Sequence, residues 1–175
     1  MKMIDAILAE LDQEAHATRR VLERVPQAQL SWRPHPRSMS LGQLALHVAT
    51  VPGNVAELAS HDTIPEPPAF VQAEAATAAE LVPALNASLA KAHQLLGGMD
   101  DAALSATWRL MSGGKEIMAM PRAAVLRTIM LNHWYHHRGQ MLVYLRMHDV
   151  PLPSVYGPTA DENPFAADLA AAARA

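Results

Sequence analysis

The chain has 175 residues, half of them hydrophobic, a net charge of −3 and no cysteine. That length suits one domain with a continuous core, and the missing cysteines exclude disulfides, thiolate metal ligands and a cysteine nucleophile. With no Lys/Arg run and no apolar run long enough to span a bilayer, neither nucleic acid nor membrane is an expected partner, and a cytoplasmic protein is expected.

Ile4, Ile7, Leu8, Leu11, Ala15, Leu22 and Val25 recur at three- and four-residue steps, which predicts an amphipathic helix ending near Pro26. His16 falls beside that stripe. The connection from Pro26 to Met39 carries Trp32-Arg33-Pro34 and Pro36 and reads as a stiff loop packed on the body. Ser40 opens a second helix. Ser40 with Gln43 matches a capping box, and Met39 with Leu44 a hydrophobic staple. Leu44, His47, Val51, Val55 and Leu58 share one face of it. Pro52 lacks an N–H and is predicted to kink this helix or end its regular part.

Residues 60–69 hold Pro65, Pro67 and Pro68 and read as a surface loop. Thr77 and Glu80 are placed to cap a third helix that runs to about Leu96, closed by Gly97-Gly98. Around Ser112-Gly113-Gly114, residues 106–111 and 115–120 predict a short hairpin or extended loop. Pro121 precedes the fourth helix, Arg122 to His148, and turns follow at Asp149–Pro153 and Tyr156-Gly157-Pro158. The alanine-rich end, residues 165–175, reads as a short docked helix or a frayed tail. The expected fold is all-α, a four-helix bundle with a hairpin near 106–120. Residues 1–158 form the bundle domain and 159–175 a tail. The long second connection need not be a plain up-down turn.

On the fourth helix Leu126, Met130, His133, His137, Met141 and Tyr144 share a face. His133 and His137, one turn apart, can reach a common point, which suits a divalent metal. Nine histidines make such a pair easy to reach by chance, and two core histidines satisfied by hydrogen bonds fit the same pattern. His47 would join them if the second and fourth helices are neighbours. Three neutral imidazoles leave a coordination position for water or substrate; zinc fits best, with Ni²⁺, Fe²⁺ and Mn²⁺ also compatible with nitrogen ligands. His136 lies one residue off the stripe and is not expected to ligate. His133-Trp134-Tyr135-His136-His137 also lacks the glutamate base of the His-Glu-x-x-His proteases.

Trp32-Arg33-Pro34, the run from Ser40 to His47, His133-x-x-His136-His137-Arg138-Gly139-Gln140, Pro153 and Tyr156-Gly157 together resemble the DinB/YfiT-like family, over about Ile4 to Pro158. The resemblance implies an up-down-down-up bundle and a three-histidine metal site, usually zinc or nickel, with His47, His133 and His137 as ligands. Some members are thiol-dependent transferases or isomerases that use mycothiol or bacillithiol; others are described only as metal-dependent hydrolases. The expectation is an enzyme acting on a small-molecule substrate, with the metal activating water or a low-molecular-weight thiol cosubstrate. Two readings compete with it: a noncatalytic metal- or small-ligand-binding bundle, and a metal-free core in which the histidines bond one another. No general base is assigned. Gln140, one turn from His136 and His137, is expected to orient a ligand or a polar substrate group, and Arg138 to form a surface salt bridge. A homodimer is expected as well, with Met111–Met120 offering apolar surface.

Overall fold

The computed structural model describes residues 2–69 and 72–166. Four long helices dominate it. The first two are α1 (Met3–Leu22) and α2 (Leu41–Ser60), and the third is α3 (Leu81–Leu96). The fourth is a single rod made of α5 (Arg122–Val125), a π segment (Leu126–Asn132) and α6 (His133–Arg146). A short helix α4 (Asp101–Ser105) and strands β1 (Thr63–Ile64), β2 (Thr107–Ser112) and β3 (Lys115–Pro121) complete the fold.

Side-chain pairings give the directions of the helices. Asp12 meets His93 and Arg19 meets Asn86, so α1 and α3 run antiparallel. Thr50 O and Gly53 N both meet Ser88, while Glu57 meets Lys91, so α2 and α3 run parallel. His47 faces His133 and Ala59 faces Arg122, so the fourth helix is antiparallel to α2. The bundle is therefore up-down-down-up. Its parallel middle pair explains the long second connection, because the chain must return the length of the bundle between residues 61 and 80.

That connection contributes a strand the sequence reading did not anticipate. β1 pairs parallel with β2 at Thr63↔Arg109 and Ile64↔Leu110, and β2 pairs antiparallel with β3, giving a three-stranded sheet rather than a hairpin alone. The hairpin turn needs its glycines, since Gly113 and Gly114 both have positive φ. Ile117 and Met118 of β3 are exposed. After α6, Asp161 pairs with Arg146 and Glu162 with Arg20, which folds residues 159–162 back onto the bundle. Residues 167–175 of the alanine-rich end lie outside the described residues.

The capping box at α2 is present: Gln43 N–H donates to Ser40 Oγ (3.1 Å) and Ser40 N–H to Gln43 Oε1 (2.9 Å). Thr77 N–H likewise meets Glu80 Oε1 (3.4 Å), starting a tight turn that leads into α3. Pro52 does not end α2, which continues to Ser60. Proline there removes the N–H that would bond Val48 O, and a neighbour replaces it, as described below. Next to it, Gly53 lets α3 come close: a Cβ at this position would lie 2.8 Å from Ser88 O. Ser88 Oγ accepts from Gly53 N–H (2.8 Å) and donates to Thr50 O (3.1 Å), filling the polar gap between the two helices.

Candidate metal centre

His47 sits in the second turn of α2, and His133 and His137 on the first two turns of α6. Two ties set α2 against the last helix in the register that joins them. At one end the indole N–H of Trp134, buried completely, donates to Val48 O at 2.7 Å. That is the carbonyl left without its helical partner by Pro52. At the other end buried Arg122 donates to Ala59 O (2.6 Å) and His61 O (3.4 Å), and to the Asp62 carboxylate. It thereby serves carbonyls at the C-terminus of α2, where a cation also suits the helix dipole. Val48 and Trp134 each follow directly on a histidine of the site, so the first tie brings His47 onto His133.

The three histidines offer one ring nitrogen each within 4.8 Å of one another. His47 Nε2 and His133 Nε2 are 3.0 Å apart, and the ring of His137 lies 4.6 Å from that of His47 and 4.4 Å from that of His133. Nitrogens sharing one tetrahedral zinc at about 2.0–2.1 Å would lie about 3.3–3.4 Å apart, so small ring rotations bring this set to ligand spacing. His137 Nδ1 meets Gln140 Oε1 at 2.8 Å. A carboxamide oxygen only accepts, so Nδ1 carries the proton and Nε2 presents its lone pair to the cluster. Gln140 thus orients a histidine of the site.

All three rings are partly buried, and all are held in the neutral form that binds metal. Burial, then His137 and His133, push the His47 pKa down to about 4. Burial and then His136 lower that of His133. For His137, burial and its histidine neighbours lower it against an opposing bond to Gln140. His136 meets His137 edge-on with centroids 5.0 Å apart but is exposed and outside the cluster. His16 is exposed on α1, on the far side of the fourth helix from the cluster.

Arg138 departs from expectation. It is 2% exposed, not a surface residue, and points away from the histidines toward α1. Its guanidinium donates to Glu14 Oε2 (2.5 Å), Glu14 O (3.1 Å), Thr18 Oγ1 (3.0 Å) and Tyr156 Oη (2.5 Å). The Tyr156 hydroxyl donates in turn to Glu14 Oε2 at 2.8 Å, and the rings of Tyr135 and Tyr156 flank the guanidinium at 5.4 and 5.2 Å. Above this group Glu10 accepts from Arg127 (2.6 Å) and Tyr135 (2.9 Å). Burial acts to raise the Glu10 pKa, but those two bonds outweigh it and hold it below the usual glutamate value. The only trace of this cluster in the sequence is a spacing that does not name the partner: Trp134, Arg138, Met141 and Leu145 recur at three- and four-residue steps and are the buried positions of α6, and Glu14 is buried on α1.

A cleft of about 550 Å³ opens from His47 and His133 along α2 toward Leu58. Fold and site together define a class: an up-down-down-up helical bundle with three imidazoles from two facing helices, two of them lining a cleft. The DinB superfamily profile matches residues 10–141, and the chain belongs to that superfamily. A DinB-like protein from Bacillus cereus is similar in structure, with a TM-score of 0.67 at 23% identity over 87% of this chain and 97% of that one. The DinB-like protein YjoA from Bacillus subtilis gives 0.64 at 18% identity over 86% and 96%. Among curated proteins none matches by sequence.

Proposed function

We propose that the chain is a metal-dependent enzyme in which His47, His133 and His137 hold a divalent ion, zinc before nickel, and act on a small molecule. The observation that carries this reading is the cluster of three imidazoles, two of which, His47 and His133, line a cleft. When bound, such an ion supplies Lewis acidity, polarising a substrate oxygen and lowering the pKa of a water or thiol. The residues do the rest. Neutral imidazoles leave the ion's charge uncompensated, and three of them leave a position open to substrate. Gln140 fixes the His137 tautomer. The partly apolar cleft limits the water around the reacting group. A thiol in this chemistry must come from outside, since the chain has no cysteine. Partial burial and the adjoining cleft favour this reading over an ion held only to stabilise the bundle, because a structural site is normally closed by four protein ligands.

Metal content of tag-free protein after dialysis, read by elemental analysis, tests the site. His47→Ala, His133→Ala and His137→Ala should each lose the ion, and His136→Ala should keep it. Equal retention in all four variants would sink the triad. Turnover of metal-loaded protein is then screened with mycothiol, bacillithiol and glutathione against electrophiles, beside ester and amide hydrolysis. Thiol-dependent turnover lost in His133→Ala supports a transferase; thiol-independent, metal-dependent turnover supports a hydrolase. Activity in neither screen favours the noncatalytic binding protein.

A further inference from the structure

The cleft beside the histidines has a chemical character of its own. Its apolar lining includes Val51, Val55 and Leu58 of α2 with Ile129 of the π segment, and His47 and His133 stand at one end along α2. None of its described lining residues is Lys or Arg. The one carboxylate in the lining, Glu57, is exposed and paired with Lys91 Nζ at 2.6 Å. The Thr50 hydroxyl spends its proton on Leu46 O (2.9 Å), so it presents only lone pairs. Asn54 follows one turn later, seven residues from His47 and so about 10 Å along the helix. Its carboxamide can both donate and accept without charge. A negatively charged substituent entering here would give up water without meeting a counter-charge, and a hydrocarbon body would gain from burial.

We propose that this cleft selects an uncharged substrate with a hydrocarbon body, whose reacting group lies at the histidine triad while a neutral polar substituent reaches Asn54. Away from the triad, a carboxylate, phosphate or sulfonate on that body meets no cation among the described lining residues, and Lys91 beside them is held by Glu57. The volume, about 550 Å³, falls among those of small-molecule sites. This proposal rests on the metal-site reading for the identity of the reacting end, but the selectivity of the cleft can be measured without metal.

The probes are N-phenyl-1-naphthylamine and its sulfonated counterpart, 1-anilinonaphthalene-8-sulfonate, which share one apolar skeleton and differ by a negative charge. Titrated into metal-free full-length protein and read by fluorescence, the neutral probe should bind at least about tenfold more tightly. Asn54→Lys changes an exposed residue and supplies the absent cation, so it should tighten the sulfonate and close most of that gap. Equal binding of the two probes, binding of neither, or a ratio unmoved by Asn54→Lys would overturn the proposal. With zinc-loaded protein, calorimetry compares acetohydroxamic with octanohydroxamic acid, the same metal-binding head without and with a hydrocarbon chain. The longer compound should bind about tenfold or more tightly. Equal affinities would refute the alignment of cleft and triad while leaving the metal site standing. Failure of the protein to take up zinc would refute the metal site, with the cleft still judged by the dye pair.

Discussion

His137 and Arg138 are neighbours in the chain with opposite surroundings. His137 is half-buried beside α2, with Nδ1 bonded to Gln140 and its ring packed against two more imidazoles. Arg138 faces α1, and its guanidinium is closed off by Glu14, Thr18 and Tyr156 and by two aromatic rings. One face of α6 encloses a charged group in a network of fixed donors and acceptors; the other gathers three neutral ring nitrogens in a partly buried cluster. The first arrangement stabilises a fold, whereas a group of neutral nitrogens near bulk water is what a metal site requires.

The largest way to break the contrast is Arg138→Ala. It leaves Glu14 buried without its cation and should cost about 3–5 kcal/mol in denaturant unfolding. His137→Ala should change the stability of metal-free protein by only about 1 kcal/mol or less while abolishing stable metal binding. If the two variants lose equal stability, the two faces do not differ as described.

Trp134→Phe keeps most of the ring but leaves Val48 O without a donor, an expected cost of about 1–3 kcal/mol. Pro52→Ala in the same chain restores a backbone N–H to that carbonyl and should recover part of the loss. A double-mutant cycle on unfolding free energy checks the coupling, and additive effects would disprove it.

Acid sharpens the comparison on the histidine side. The folded-state pKa of His47, about 4, lies below the ordinary 6.5, so between those values the unfolded chain binds the extra proton. The stability contributed by neutral His47 is therefore complete above 6.5 and is lost as the pH falls toward 4. Thermal unfolding of metal-free protein across that window should fall less steeply in His47→Gln than in the unaltered chain.

The smallest effect is expected from Gln140→Ala, which unfixes the His137 tautomer without removing a ligand. Metal affinity should drop by about tenfold, measured by competition with a chelator.

Much of the fold was legible because its signals are local. Ser40 with Gln43 and Thr77 with Glu80 marked two helix starts through bonds made within a single turn. The histidine cluster needed more: the i, i+4 spacing of His133 and His137 could be read from periodicity, but His47 entered only through the apolar face of its helix and a family resemblance. What escaped depends on distant partners. β1 is two residues long and exists only because β2 lies beside it. Pro52 pointed to a break, yet a tryptophan more than eighty residues away repairs the lost bond. Arg138 looked like a surface residue because arginine usually is one, and only the facing helix shows that Glu14 awaits it.

The π segment gives the last helix an unusual kind of slack. Its backbone bonds span five residues where an α-helix spans four, so Leu126–Asn132 stores extra chain length within the rod. Removing one residue from an ordinary helix rotates everything beyond it by about 100°, enough to swing a side chain off its face. Removing one here would instead let the wide turns close to normal pitch, keeping Val125 and His133 in phase with their neighbours. Along these seven residues a one-residue deletion should therefore disturb the fold less than a polar substitution at buried Leu126, Met130 or Leu131. The segment is a length buffer placed directly upstream of His133, the first histidine of the cluster on the fourth helix.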